Sequence, residues 1–259
     1  MNLLLVNTLA IGITLIYASC LDIRDRRVPF RTWYPMLAIG VPVALYIIFR
    51  LYLEDPQIFF RYLLTAGLFS VAFYLFAYFR LFGGADAWAL IFITLLHPFF
   101  PFAPCAGYPP FAFFPFSVLI NALLLNLATP LGIFAMNVIR GNRAPLIHMF
   151  LGFPVSSEAL STSYGFVMER LVEREGRLER SFIPVRESLA MLFSGRDRLY
   201  TRDLRVYPER YEKERALIEK AGGVWISYGV PFIVPITAGF FSALLVGDLL
   251  QLIMRVAGL

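Results

Sequence analysis

Apolar positions in this chain fall in long, nearly charge-free runs rather than in short alternating patterns. Six runs stand out, over 2–21, 33–53, 58–79, 86–100, 112–139 and 224–254. Most approach or exceed the roughly 20 residues that a helix needs to cross a bilayer. The pattern predicts an all-α membrane protein with six transmembrane helices. The fourth run is short and ends at His97-Pro98. The fifth is long enough to tilt, or to bend at Pro130 and Gly132. The first run has no basic stretch ahead of it and flows into a polar loop at Asp22, so it reads as a mature helix rather than a cleaved signal.

One stretch breaks the pattern. Segment 141–223 holds twelve of the eighteen acidic residues and, counting Arg140, fifteen of the 23 Lys and Arg. It has only short apolar patches, such as 147–153 and 189–193. It predicts a small domain inserted between helices five and six, near the lower size limit for independent folding. The organisation expected is therefore 1–140 for helices one to five, 141–223 for the insert and 224–259 for helix six. Within the insert, the alternating charges of Glu169 to Arg180 read as a solvated helical face. Glu209 to Lys220 reads as a second charged helix, and Gly222-Gly223 as the turn before the last span.

Composition agrees with a bilayer protein: 59% of residues are hydrophobic, 16% are charged, and mean hydropathy is +0.69. The net charge of +5 could suggest a nucleic-acid partner, but its distribution argues against one. Arg24, Arg26, Arg27 and Arg31 crowd the first loop, Arg80 lies in the third, and only Arg50, Arg61 and Arg255 lie on the other side. Because short basic loops stay in the cytoplasm, the 22–32 loop, the 80–84 turn and the insert are expected there, with both termini outside. Cys20 and Cys105 then lie at opposite faces, so no disulfide joins them. Two cysteines make no zinc or disulfide framework, and no metal or other cofactor is expected.

Two carboxylates carry the chemistry. Asp22 ends the first run and Asp86 begins the fourth, at one predicted depth on the cytoplasmic side. A carboxylate at the edge of a span is costly and marks a functional site by default. Two of them within a few ångströms share one proton: the ionised member can take a proton from water while the protonated member polarises a peptide carbonyl. Residues Gly83, Gly84 and Ala85 lack bulk, so an extended substrate backbone can lie beside that loop. Pro231 and Pro235 free backbone groups at the start of the last run, near the expected depth of the site. Taken singly, each aspartate reads equally well as a loop or capping residue, Asp22 paired with Arg24 or Arg26.

With their flanks, the two aspartates resemble a known family. Leu21-Asp22-Ile23-Arg24 followed by Arg26-Arg27-Val28-Pro29 is similar to the first aspartate motif of the prepilin peptidases. Gly83-Gly84-Ala85-Asp86 is similar to their second motif, Gly-x-Gly-Asp, with Ala85 in place of the second glycine as in the archaeal preflagellin branch. Gly229-Val230-Pro231-Phe232-Ile233-Val234-Pro235 also resembles that branch. The resemblance implies an aspartyl endopeptidase with Asp22 and Asp86 as catalytic residues. It would remove the short basic leader of archaellin or archaeal pilin precursors at the cytoplasmic face. Bacterial relatives often carry a tetracysteine zinc motif and methylate the new terminus. Those cysteines are missing here, so cleavage without methylation is expected. Since the aspartates belong to different helices, their resting separation can exceed proton-sharing range, and helix motion would then assemble the site.

The remaining polar residues read as structural. Asp248 is expected to be hydrogen-bonded deep in the last span, and Asn121 and Asn126 to join helices. His97 and the uncharged, aromatic 97–116 segment read as outer-interface residues, and His148 as a surface residue of the insert. Asp25 reads as a contact for a basic leader or an ion-pair partner of Arg27. The alternative function is a transporter using the aspartates as a cation or proton site beside a broken helix, although no inverted repeat is visible.

Overall fold

The computed structural model describes residues 3–79, 83–194, 199–229 and 231–258, and divides into two compact units, 1–127 with 231–259, and 128–230. Arg80 and the first part of the 80–84 turn lie outside the described residues, as do 195–198 of the insert and Val230.

The first unit is helical. It comprises α1 (Leu3–Asp25), α2 (Tyr34–Glu54), α3 (Pro56–Tyr78), α4 (Gly84–Leu96) and α5 (Phe114–Asn126). After the second unit it closes with two more helices, which carry the numbers α11 (Ile233–Leu245) and α12 (Leu249–Val256) in chain order. A 3-10 turn, Phe30–Trp33, leads into α2. Among the described residues, four stretches are long and apolar enough to cross a membrane: α1, 30–54, α3 and the run Phe114–Ile139. The α11–α12 pair makes a fifth if its 62° bend is counted inside one span. The expected fourth span is α4, whose 13 residues extend about 20 Å, short of a ~30 Å core.

What fills the space beyond these short helices is the segment read as an outer aromatic belt. Part of it goes inward instead: Phe100, Phe113 and Phe114 are buried, as is His97, while Phe102, Tyr108 and Phe111 stay exposed. The His97 ring packs edge-on against Phe114, and its Nε2 lies 3.3 Å from Thr8 Oγ1. His97 is therefore a core residue. Backbone amides of Cys105 and Ala106 donate to the carbonyls of Leu245 and Val246, capping the end of α11. The core of this unit gathers Ile11, Leu15, Leu90, Ile93, Phe114, Val118, Ile236 and Phe240 from α1, α4, α5 and α11.

The second unit overturns the all-α expectation. It holds α6 (Ala128–Ile139), α7 (Leu146–Leu151), β1 (Gly152–Ser156), β2 (Glu169–Arg174), β3 (Arg177–Phe182), α8 (Val185–Ser194), α9 (Thr201–Val206), α10 (Glu212–Lys220) and β4 (Gly223–Ser227). Strand β1 pairs antiparallel with β4, Gly152 opposite Ser227, so the two ends of the unit are zipped together. The sixth apolar run thus opens as strand, and its helix begins only at Ile233. Segment Glu169–Arg180, expected as a helix, is the β2–β3 hairpin. Its two-residue turn holds Glu175 and Gly176 at φ 50° and 76°, the left-handed pair that a type I′ turn needs. The second charged helix exists as α10. His148 is buried rather than on the surface, and its Nε2 lies 2.9 Å from the Ile183 carbonyl. A separate core of Val155, Leu160, Val167, Leu204, Ile218, Val224 and Ile226 holds this unit.

Candidate active site

Asp22 lies in the last turn of α1, where helix carbonyls accumulate negative potential and disfavour a carboxylate. Two features compensate. The chain leaves the helix at Arg26, a non-glycine residue at φ 52° whose N–H caps the Asp22 carbonyl at 3.1 Å. Its positive side chain then acts on the Asp22 carboxylate. The backbone N–H of Ile233, the first residue of α11, also faces that carboxylate and favours its charge.

The start of α11 shows why that amide is free to turn outward. Helix N-terminal amides have no partner within the helix. Val234 N–H donates to the Pro231 carbonyl and Ile236 N–H to the Phe232 carbonyl, both at 3.1 Å. Pro235 has no N–H. That leaves the Ile233 amide facing Asp22. The two prolines therefore define where α11 begins instead of kinking a longer helix.

Asp86 occupies the first turn of α4 and is buried, 9% exposed. Its Oδ2 accepts the Gly83 N–H at 3.1 Å, and the helix N-terminus favours a carboxylate there. A Cβ on Gly83 would lie 2.6 Å from that oxygen, so any larger residue there displaces the carboxylate from its present position. Gly84 has no atom within 4 Å of such a Cβ and faces open space. Ala85 packs on the core.

The two aspartates lie within electrostatic range, close enough for the Asp22 charge to act on Asp86. Among the described residues they are not hydrogen-bonded to each other. On α4 and the turn before α2, Phe30 packs edge-on to Trp88 at 5.4 Å and Trp88 stacks on Phe92 at 5.3 Å. Asp25 pairs with Arg24 at 3.1 Å rather than with Arg27. Asp248 caps α12 through Gln251 N–H, which fixes it as a structural residue. No three His, Cys, Asp or Glu side chains among the described residues could hold a metal ion.

Sequence reading missed the Ile233 amide and two hydroxyls beside it. Ser19 Oγ lies 2.8 Å from Thr237 Oγ1, tying α1 to α11. Their signal was available: Ser19 is three residues before Asp22, and Thr237 is four after Ile233, so each shares a helix face with its neighbour.

A bundle of apolar helices presenting two acids at helix ends is compatible with a membrane peptidase of the aspartic type. Comparison with known proteins gives the family. Residues 9–135 match the type IV leader peptidase family, and residues 144–249 match the archaeal peptidase A24 C-terminus, type II. The preflagellin peptidase of Methanocaldococcus jannaschii is 24% identical over 269 residues, covering 98% of this chain and all of that protein. The chain belongs to the type IV leader peptidase family.

Proposed function

We propose that this protein is the endopeptidase that removes the short basic leader from archaellin or archaeal pilin precursors, with Asp22 and Asp86 as its catalytic pair. The observation that carries the reading is the meeting of these two carboxylates, each held by a backbone N–H at a helix N-terminus. Similarity to the preflagellin peptidase supports the substrate class. Membership of a peptidase family sets aside the transporter reading.

In this reading the pair carries one proton. The ionised carboxylate takes a proton from water as the oxygen attacks the scissile carbonyl carbon, and the protonated one donates to the carbonyl oxygen. When the tetrahedral intermediate collapses, the C–N bond breaks and the leaving amine takes a proton from the pair. The pair titrates as a unit, so the roles belong to the dyad. The resting carboxylates do not hydrogen-bond to each other, so a helix displacement on substrate binding assembles the pair around the water and the carbonyl.

The motif loops and the insert are placed in the cytoplasm, with both termini outside, because the basic residues concentrate there. Cys20 and Cys105 are both free. With no tetracysteine cluster, the reaction ends at cleavage and the new terminus is not methylated.

The test is cleavage of a precursor whose leader ends in Lys or Arg followed by Gly, by the protein in membranes. Asp22→Asn and Asp86→Asn should each lower kcat by at least about 10²-fold, the scale of lost acid–base catalysis. Cleavage at the wild-type rate by either variant rules out the dyad.

A further inference from the structure

Helices α1 and α11 run antiparallel near Asp22 and meet in two successive rungs. The outer rung is Asp22 against the Ile233 N–H. The inner rung, one turn deeper on each helix, is Ser19 against Thr237, Oγ to Oγ1 at 2.8 Å. Thr237 Oγ1 lies 2.9 Å from the carbonyl of Ile233 and 3.2 Å from that of Leu15. The shortest contacts form one chain in which Ser19 O–H donates to Thr237 and Thr237 O–H donates to the Ile233 carbonyl; with the Ser19–Thr237 proton reversed, Ser19 reaches the same carbonyl. Ile233 is then held on both sides, its carbonyl by the hydroxyl chain and its N–H by the catalytic carboxylate. Ser19 Oγ is also 3.5 Å from the same carbonyl.

We propose that Ser19 and Thr237 are positioning residues for Asp22: their hydroxyl pair fixes the axial register of α11 on α1 and so keeps the Ile233 N–H on the carboxylate. The inference rests on the reading of Asp22 as catalytic. Apolar side chains alone specify register weakly, because sliding one greasy helix along another in lipid loses little contact. A hydroxyl pair is directional and is lost within about 1 Å of slip. The same slip would draw the Ile233 amide away from Asp22, and displacements of that size can cost on the order of 10²-fold in rate. Ser19 is buried and touches neither substrate nor solvent in this role, so it acts only through α11.

The experiment measures kcat, KM and the pH–rate profile for Ser19→Ala, Thr237→Val, Thr237→Ser and the Ser19→Ala/Thr237→Val double variant, with Asp22→Asn alongside, in membranes. Both hydroxyl deletions should lower kcat roughly 10-fold or more at unchanged KM and displace the pH–rate profile. The double variant should be no worse than the worse single, since one rung is lost either way. Thr237→Ser, which keeps the hydroxyl, should return to within about threefold of wild type. Any other pattern overturns the proposal, including equal losses that add, a loss confined to KM or no rescue by serine. If Thr237→Val does not accumulate folded, Ser19→Ala against Thr237→Ser decides in the same way. Activity in Asp22→Asn would instead refute the catalytic reading beneath it, whereas a dead Asp22→Asn with wild-type hydroxyl variants refutes this inference alone.

Discussion

At the residue scale, the Gly-Gly-Ala-Asp segment divides into parts with different physical demands. Gly83 both donates its N–H to Asp86 Oδ2 and leaves the room that oxygen occupies, since a Cβ would stand 2.6 Å away. Gly83→Ala must therefore push the carboxylate off its donor. Displacing a catalytic group by an ångström costs on the order of 10²-fold, and kcat should fall by that order with a smaller change in melting temperature. Gly84→Ala meets no neighbour and should cost less; a larger loss at 84 than at 83 would contradict the geometry. The two acids were legible in the sequence because charge is expensive inside an apolar run and both marked run ends. The Ile233 amide was not, because a backbone donor has no sequence signature. Its availability depends on Pro235 lacking an N–H and on Val234 being satisfied by Pro231, which only the folded turn reveals.

At the scale of elements, apolar runs located the helices well but misjudged their ends. The last run was read as one helix over 224–254, yet it holds a strand, α11 and α12, with the bend at 246–248. Hydropathy cannot separate a buried strand such as Val224-Trp225-Ile226 from the start of a span. The hairpin at 169–180 was missed for a related reason: alternating charges fit a helical face as well as a strand with both faces wet. The bend in the last run is held by one side chain. Asn121 Nδ2 donates to the Gly247 carbonyl at 2.7 Å, and its Oδ1 accepts Leu249 N–H at 2.8 Å. Asn121→Leu strands both backbone groups in an apolar setting, and each orphan costs about 1–3 kcal/mol. The variant should melt several degrees lower in detergent, and an unchanged melting temperature would show that the bend holds without it. Where α11 crosses α5 the helices approach closely, because a Cβ at Gly239 would come 2.5 Å from the Val118 carbonyl. Gly239→Ala should destabilise more than an alanine gains in helix propensity, about 1 kcal/mol, which thermal melting of that variant would show.

For the whole molecule, the open question of sidedness turns on charge. Fifteen of the 23 basic residues lie between Arg140 and Lys220, but long segments cross membranes largely regardless of charge, so the short loop at 22–32 carries more weight. Two native cysteines can report the answer. Cys105 is exposed in the segment between α4 and α5, at the end of the unit opposite Asp22. Cys20 is also exposed, yet it lies on α1 within an apolar span, where a water-borne, membrane-impermeant reagent does not reach it. In intact cells a membrane-impermeant maleimide should therefore label the protein at Cys105, and Cys105→Ser should abolish that signal. A cysteine placed at the exposed tip of the β2–β3 hairpin, Arg177→Cys in the Cys105→Ser background, should react only after the membrane is opened. Labelling of both sites from outside would place the insert on the same side as Cys105, and reversed labelling would invert the topology. Only the reversed result would move the dyad away from a leader presented in the cytoplasm, and it would leave the chemistry intact.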